Sequence, residues 1–440
     1  MENQTIVSQA TPFGYSSIAV IRLSGEHAFL FASGLANIST PRKHLESVLL
    51  PIFDESGKRI DSGIFTFFKN PRSYTGEDVV EISCHGNPLI VKMILNHSLF
   101  LGARLAEPGE YTKRAFLNGK MSLSQAESVG ALIASKSKNA IYYNNKNIEG
   151  ASTESINTIK EGLISALSAI EYELDISEEE DTLHNTVSNV VKILNNNNLL
   201  CRSLISSFDA GVAYSSGFRV VIIGRPNVGK STLMNALVGL NRSIVSDAAG
   251  TTRDTVTHDL IIDGYPITMI DTAGVREVYD NIEAEGVQRT TCEMGRADIV
   301  LSLYSHDTKP VDNIDFKKQI NVYNKADLHK NKKLSGSDIC ISALHGTGLE
   351  KLNKALMAAL LDVGSFSGDV FINTERQKQS VMSCESSILK SLALLKKENP
   401  AVEIVAYELK TAIGSLDSFL GKTTTDDILN KVFSSFCVGK

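Results

Sequence analysis

The sequence has no closely spaced pair of cysteines, no long hydrophobic run and no excess of positive charge. Its six cysteines are scattered and none forms a C-x-x-C pair, which argues against a zinc knuckle and indicates a reduced, intracellular protein. No stretch approaches the roughly 18 apolar residues of a membrane span, and the N-terminus has no basic segment ahead of its apolar residues. We therefore expect a cytoplasmic protein that does not enter a membrane.

The net charge is −6 over 440 residues. Proteins that bind nucleic acid mainly by electrostatic attraction neutralise its phosphates with lysine and arginine. The net negative charge argues against a protein of this kind, although a basic face could exist locally. The length suggests about three domains. A hydrophobic content of 42% with 21% charged residues is ordinary for a chain with well-formed cores.

A glycine-rich loop, GRPNVGKS at residues 224–231, carries the most specific signal. It follows a β-branched run at 218–223 and precedes helical spacing at 231–237, so it joins a buried strand to a helix N-terminus. Gly224 and Gly229 let backbone amides converge on phosphate, Lys230 can reach the β- and γ-phosphates, and the Ser231 hydroxyl can ligate Mg²⁺. The loop predicts a nucleoside triphosphate site.

Four further motifs follow in the order that a guanine-nucleotide switch requires: GTTRD at 250–254, DTAG at 271–274, NKAD at 324–327 and SAL at 342–344. Thr252 is placed to give a second Mg²⁺ ligand when a γ-phosphate is present, and Asp271 ends a strand facing the metal. Asp327 can accept the guanine N1 and N2 hydrogens, which selects guanine over adenine. Together with the loop, these motifs predict binding and hydrolysis of GTP.

The predicted GTP contacts come from these five motifs and from the segment just before GTTRD. They are Asn227, Val228, Gly229, Lys230, Ser231, Thr232, Ser246, Asp247, Ala248, Ala249, Gly250, Thr251, Thr252, Asp271, Thr272, Ala273, Gly274, Asn324, Lys325, Asp327, Ser342, Ala343 and Leu344.

The residue after DTAG is Val275, where Ras-type switches place the glutamine that orients the attacking water. A valine side chain cannot form that hydrogen bond, so another group must position the water. Several acidic residues follow in the same segment, and the sequence alone does not show which of them positions the water. They are Glu277, Asp280, Glu283 and Glu285.

The sequence does not identify any arginine as an arginine finger. A monovalent cation is therefore another candidate source of the positive charge that such an arginine supplies. Asn227 has a side-chain carbonyl suited to a hard cation, and residues 246–251 could add backbone carbonyls around it. The alternative is that the Asn227 side chain only stabilises the loop by a hydrogen bond.

The regions flanking the GTPase segment differ from it in pattern. Residues 1–118 contain strand-like runs at 17–22, 62–68 and 78–82 and a helical stretch at 88–100, which predicts an α+β domain. Residues 119–217 and 367–440 have helical spacing, with a capping box predicted at Ser124 and Glu127. We therefore predict an α/β P-loop GTPase domain, residues 218–366, inserted into an α-helical bundle.

Four motifs outside the GTPase segment are absent from generic GTPases: TIVSQATP at 5–12, SYTGEDV at 73–79, EPGEYTKRAFLN at 107–118 and FSSFCVGK at 433–440. Through them the chain resembles the MnmE (TrmE) family of tRNA-modification GTPases over nearly its whole length. The resemblance implies an N-terminal domain that dimerises and binds formyl-tetrahydrofolate, a helical domain split by the GTPase, and a Cys-x-Gly-Lys tail that reaches the folate site.

The resemblance also implies roles for particular residues. Family folate contacts fall on Arg22, Glu81, Lys120 and Lys440, and the family's water-orienting glutamate falls on Glu283. The potassium site falls on Asn227, carbonyls of Ser246 and Ala248, and Thr251, and potassium there promotes dimerisation of two GTPase domains across their switches. Cys437 would approach the one-carbon unit, or it is a free thiol at a chain end.

As a family member, the chain is expected to be a homodimeric, K⁺-stimulated and Mg²⁺-dependent GTPase. With the FAD protein MnmG (GidA), in a heterotetramer, it would install an aminomethyl or 5-carboxymethylaminomethyl group on the wobble uridine of tRNA. The carbon would come from 5-formyl- or methylene-tetrahydrofolate, and FAD would enter only through the partner.

Two other functions remain open at this point. A GTP-switched, RNA-binding ribosome-assembly factor resembling Era or Der would share the nucleotide motifs. It should also carry a basic G-x-x-G element of the KH type, and none follows the GTPase segment. The other is a folate-dependent aminomethyltransferase whose GTPase is merely regulatory.

Overall fold

The computed structural model describes residues 4–39, 43–176, 180–240, 256–263, 265–271, 295, 297–308, 318–328, 338–361, 370, 372–397, 399–423 and 425–439. The chain forms two compact units, one made of Met1–Gly130 with Gly414–Lys440 and the other of Ala131–Ile413. Each unit has a six-stranded sheet and a hydrophobic core of its own.

The first unit is built on a mixed sheet. Its strands are β1 (Ile6–Gln9), β2 (Ile18–Ser24), β3 (Glu46–Phe53), β4 (Arg59–Phe68), β5 (Val79–His85) and β6 (Arg104–Leu105). They lie in the order β3-β4-β5-β2-β1-β6, with β1 and β6 parallel and the other pairs antiparallel. The helices are α1 (Ala28–Ala36), α2 (Pro88–Phe100), α3 (Glu110–Leu117) and the first part of α4 (Leu123–Ala134).

The apolar faces of α1 and α2 pack on the central strands, where Ile21, Phe65 and Ile82 are fully buried. The strands predicted at 17–22, 62–68 and 78–82 are confirmed, with ends that differ by up to three residues. The helix at 88–100 is confirmed as well. It starts there because Asn87 Oδ1 accepts a hydrogen bond from the Leu89 amide at 2.9 Å and proline occupies the first turn.

The capping box predicted at Ser124 and Glu127 is wrong. The helix begins at Leu123, so Ser124 lies inside it. The box forms two residues earlier: Ser122 Oγ accepts from the Gln125 amide at 3.3 Å, and Gln125 Oε1 accepts from the Ser122 amide at 2.9 Å. Both pairs satisfy the same sequence pattern, and only the position of the helix start separates them.

The second unit contains the GTPase segment and the helices on both sides of it. The helices of this unit whose ends the structure describes are α5 (Lys138–Glu149), α6 (Ala151–Ile176), α7 (Glu180–Ser206), α8 (Phe208–Ser216), α9 (Lys230–Leu240), α10 (Leu349–Leu361), α11 (Glu375–Leu395) and the first part of α12 (Val402–Leu420). The chain then returns to the first unit with α13 (Asp426–Phe433).

Helices from before and after the GTPase segment form one bundle. Helix α7 packs against both α6 and α11. The buried sulfurs of Cys201 on α7 and Cys384 on α11 are 4.0 Å apart, and the neighbouring Arg202 and Glu385 are joined by a 3.0 Å ion pair. The nucleotide-binding fold is therefore inserted into a helical bundle.

The sheet of the second unit consists of β7 (Phe218–Ile223), β8 (Val256–Ile262), β9 (Tyr265–Asp271), β10 (Ile299–Tyr304), β11 (Gln319–Tyr323) and β12 (Ile339–Cys340). The order is β12-β11-β10-β7-β9-β8, and all pairs are parallel except β8 with β9. Parallel strands end at one edge of the sheet, so the loops that follow β7, β11 and β12 meet there, together with Asp271 at the end of β9.

The predicted fold class is confirmed: an α/β P-loop domain inserted into a helical bundle, with an N-terminal α+β domain. The boundaries proposed at residues 118, 217 and 366 stay predictions. Among the helices that the structure describes, none combines the length and the apolar character needed to cross a bilayer.

Candidate functional site

The phosphate loop runs from the end of β7 to the start of α9. At Gly224 a Cβ would come within 2.3 Å of the Leu303 carbonyl oxygen. Gly229 has a φ of +95°, and a Cβ there would come within 2.4 Å of the Asn324 side-chain nitrogen. Both positions therefore require glycine, which gives the loop the close backbone approach that a phosphate cradle needs.

Lys230 begins α9 and is buried in the loop. Its Nζ donates to the carbonyl oxygens of Gly224 at 2.8 Å and Arg225 at 3.2 Å. Burial lowers the pKa of Lys230, and the charge of Asp271 opposes that shift. The amine thus lies within the loop where the β- and γ-phosphates of a nucleotide would bind.

Ser231 and Asp271, both predicted to lie at a metal, are brought together. Ser231 Oγ donates to Asp271 Oδ2 at 3.0 Å, which joins the start of α9 to the end of β9. Hydroxyl and carboxylate oxygens are the hard donors that Mg²⁺ prefers, so the pair fits this ion.

Asn324 joins the phosphate loop to the SAL loop. It is buried at the end of β11, where its Nδ2 donates to the Val228 carbonyl at 2.8 Å and its Oδ1 accepts from the Ala343 amide at 2.9 Å. The NKAD motif predicts Asn324 as a nucleotide contact, but motif spacing gives no signal for this bridge. The buried Asn324 side chain therefore fixes the position of the phosphate loop relative to the SAL loop.

Asp327 lies beside the SAL loop. Its Oδ1 accepts from Ser342 Oγ at 2.5 Å, and its Oδ2 lies 3.9 Å from Nε2 of His345. The hydrogen bond from Ser342 lowers the pKa of Asp327, so the side chain is an ionised acceptor at neutral pH. Sequence reasoning did not single out His345; the backbone turn that brings it near Asp327 has no motif of its own.

The other predicted residues of the two switches and of the potassium site lie outside the described residues. They are Ser246, Asp247, Ala248, Ala249, Gly250, Thr251, Thr252, Thr272, Ala273, Gly274 and Glu283.

A second cluster of predicted residues surrounds Arg22 in the first unit. Nε and Nη2 of Arg22 donate to Oε1 of Glu81, on the neighbouring strand, at 2.9 and 2.7 Å. Its Nη1 donates to the Gly439 carbonyl at 3.1 Å. The guanidinium carbon also lies 5.5 Å from the ring centre of Tyr111 and 5.9 Å from that of Tyr74. Segments far apart in the sequence, including the C-terminal tail, therefore converge on one cation.

The remaining predicted folate residues have different surroundings. Lys120 Nζ donates to the Pro71 carbonyl at 2.9 Å, on the segment that leads to Tyr74. The side chain of Cys437 is exposed, and the backbone carbonyl of the same residue accepts a hydrogen bond from the Gly109 amide at 3.4 Å. Lys440 lies outside the described residues. Arg22, Glu81 and the tail are thus brought together, while the Lys120 side chain is bonded to a loop beside them.

A buried ionic network holds that loop, and sequence reasoning missed it. Nη1 of Arg114 donates to both carboxylate oxygens of Glu77 at 3.1 and 3.0 Å, and its Nη2 donates to Glu110 at 2.9 Å. Burial works against ionisation of Glu110, but hydrogen bonds from Arg104 and Arg114 outweigh it and lower its pKa. The network fixes the segment 73–77, which places the Tyr74 ring over Arg22.

Known proteins match the chain along its whole length. Residues 5–120 match the family described as GTP-binding protein TrmE N-terminus, and residues 123–437 match the MnmE helical domain. A tRNA modification GTPase MnmE from Thermotoga petrophila is 39% identical over 456 residues, which cover 99% of this chain and 100% of the relative. The chain belongs to the MnmE family. The MnmE of Aquifex aeolicus is 36% identical over 451 residues, with coverage of 99% and 100%.

Membership in the MnmE family confirms the resemblance and makes the chain a GTP hydrolase, as its five motifs predict. The ribosome-assembly alternative is not favoured, because the MnmE relatives align from end to end. A crystal structure of Aquifex aeolicus Era is 27% identical and covers 42% of this chain and 69% of its own. Its TM-score of 0.26 is too low for an argument from that likeness.

Proposed function

We propose that this chain is a homodimeric, K⁺-stimulated GTPase that works in the cytoplasm with the FAD protein MnmG. Together they would install an aminomethyl or carboxymethylaminomethyl group at C5 of the wobble uridine of tRNA. The observation that carries the proposal is the meeting of Arg22, Glu81 and the C-terminal tail in a chain that also has a phosphate loop. An arginine, a carboxylate and two aromatic rings suit the pterin and the carboxylates of a tetrahydrofolate.

The two sites would divide the work. Lys230 would bind the phosphates, and Ser231 with Thr252 would hold Mg²⁺. Glu283 would orient the attacking water, since Val275 cannot. Cys437 would face the one-carbon unit of the folate. GTP hydrolysis would then drive opening and closing of two GTPase domains rather than the carbon chemistry.

Mass spectrometry of tRNA nucleosides tests the proposal. A strain lacking the gene is expected to lose the modified wobble uridines, and a plasmid copy of the wild-type chain to restore them. Arg22→Ala should fail to restore them, because the cation at the centre of the folate-type cluster is gone. Arg59→Ala is the matched control, since Arg59 is an exposed arginine of the same sheet whose partner is the Ser62 hydroxyl.

Unchanged nucleosides in the deletion strain would contradict the proposal. The variant Lys230→Ala tests the alternative of a merely regulatory GTPase. If it restores the modification without hydrolysing GTP, nucleotide turnover is not part of the reaction. Co-purification with a flavin protein, detected by its absorbance, would test the partner separately.

Turnover in KCl against NaCl tests the potassium site. Hydrolysis is expected to be at least about tenfold faster in KCl, because a bound cation replaces part of the charge that an arginine finger supplies. Asn227 has a φ of +63°, a conformation that glycine adopts without strain. Asn227→Gly should therefore keep the loop and lose the stimulation, with equal rates in the two salts. Equal rates for the wild-type chain would remove the potassium site from the proposal.

A further inference from the structure

The loop between β1 and β2, residues 10–17, displays two aromatic side chains. Phe13 is 85% exposed and Tyr15 is 87% exposed, the highest fractions among the large apolar side chains of the described residues. The loop is nevertheless anchored at both ends. Thr11 Oγ1 accepts from the Val20 amide at 3.2 Å, and the Ser16 amide donates to the Gly86 carbonyl at 2.9 Å. The exposure of both rings therefore belongs to a fixed loop, not to a frayed end.

A third ring lies at the same end of the sheet. His85 ends β5 and pairs with Ile18 at the start of β2, directly after the loop. Its Nδ1 lies 2.7 Å from Oδ1 of Asp61, which holds the orientation of the ring, while the side chain is 75% exposed. Phe, Tyr and His are the side chains on which unpaired nucleic-acid bases stack.

This end of the sheet is continuous with the Arg22 cluster. The start of the loop packs against the C-terminal tail so closely that a Cβ at Gly439 would lie 2.6 Å from the Gln9 carbonyl and 3.0 Å from Ala10 Cα. The Gly439 carbonyl in turn accepts from Arg22. A molecule stacked on the loop would therefore be adjacent to the tail that reaches the candidate one-carbon site.

We propose that Phe13 and Tyr15 form a stacking platform for an unpaired base of the anticodon loop of the tRNA substrate. The inference rests on the proposed function and specifies where this chain contacts the RNA. The two rings are separated by Gly14 and followed by Ser16 and Ser17, so the loop presents flat rings among small and polar residues. Isolated flat rings suit bases, because every base has a π face.

The net charge of the chain limits the electrostatic part of RNA binding. A net charge of −6 makes broad neutralisation of RNA phosphates a poor source of affinity. Stacking does not need that charge. We therefore expect loss of either ring to lower RNA affinity at every salt concentration.

Binding of an anticodon stem-loop RNA with an unmodified wobble uridine to the full-length chain tests this inference. Fluorescence anisotropy over a KCl series should show Phe13→Ala and Tyr15→Ala each weakening binding about ten- to hundredfold, without a change in the salt slope. Phe13→Tyr and Tyr15→Phe keep the rings and should bind as the wild type does. Phe100→Ala is the matched control, because Phe100 is a 72% exposed aromatic residue on α2. Circular dichroism and thermal unfolding check that every variant is folded.

Three results would overturn the platform. The alanine variants could bind RNA as tightly as the wild type, or the wild type could fail to bind RNA. In the third result, light scattering shows that the variants change oligomeric state while the RNA affinity per dimer is unchanged. The last would assign the rings to a contact between two copies of the chain. None of these results decides the proposed function, which depends on the wobble nucleosides of the deletion strain.

Discussion

Replacing Asp327 with asparagine is expected to turn nucleotide preference from GTP toward xanthosine triphosphate by about a thousandfold or more, the scale on which hydrogen-bonding sites reject a mispaired ligand. The carboxylate of Asp327 accepts from Ser342 and has further lone pairs for the guanine N1 and N2 hydrogens. An asparagine side chain presents an NH₂ group where the carboxylate had an acceptor. That group opposes the guanine amine and complements the 2-carbonyl of xanthine.

The measurement is kcat/KM for GTP and for xanthosine triphosphate, with affinities of fluorescent analogues beside it. Asp263→Asn is the matched control. Asp263 is exposed in the turn between β8 and β9, and its φ of 50° is one that asparagine tolerates. The same substitution there should leave both kcat/KM values unchanged. If Asp327→Asn retains the preference for GTP, the guanine contact lies elsewhere.

Local pattern was sufficient to predict the strands that lead into three of the nucleotide motifs. The runs before the phosphate loop, DTAG and NKAD are β7, β9 and β11, because a short β-branched or apolar run followed by polar turn residues has few alternatives to a buried strand. Val221 and Ile270, on adjacent strands, are fully buried. The ends of these strands lie at one edge of the sheet, since parallel strands end on the same side.

Strand β3 has a weaker local pattern and was not predicted. It contains Pro51, which normally argues against a strand. The structure accommodates it because β3 is the edge of its sheet and pairs only with β4, so the missing N–H can face away from the ladder. Whether a strand lies at an edge depends on the whole sheet, which a local pattern does not contain.

The Arg22 cluster depends on contacts that no sequence period encodes. Arg22 and Gly439 are 417 positions apart, yet they share a hydrogen bond. Taken alone, a charged residue such as Arg114 or Glu110 predicts an exposed position, since isolated charges are costly to bury. Here both are buried because they pair with each other, and Arg114 also pairs with Glu77. The resemblance to a family pointed to Arg22 and Glu81; it gave no reason to expect the network beneath them.

Asn324→Ala is expected to lower GDP affinity about a hundredfold and to reduce the stability of the nucleotide-free protein. The substitution removes the donor to the Val228 carbonyl and the acceptor for the Ala343 amide, both inside the domain. A buried group left without its partner costs about 1–3 kcal/mol, so two such groups raise the free energy of the loop arrangement that binds nucleotide by roughly the 2.7 kcal/mol that corresponds to a hundredfold in affinity. Titration calorimetry with GDP and thermal unfolding without nucleotide measure the two effects.

Asn321→Ala on the same strand is the matched control. Asn321 is only partly buried and its Oδ1 accepts from the Gln319 side chain at 2.8 Å, so its loss should change GDP affinity little. Asn324→Asp separates the two bonds of the bridge, because a carboxylate still accepts from the Ala343 amide but opposes the Val228 carbonyl. It should bind GDP no better than Asn324→Ala if the phosphate loop depends on that donor. An Asn324→Ala protein with affinity within about threefold of the wild type would show that the phosphate loop keeps its shape without the bridge. The relative position of the phosphate loop and the SAL loop would then have to come from the strands β7 and β11 themselves.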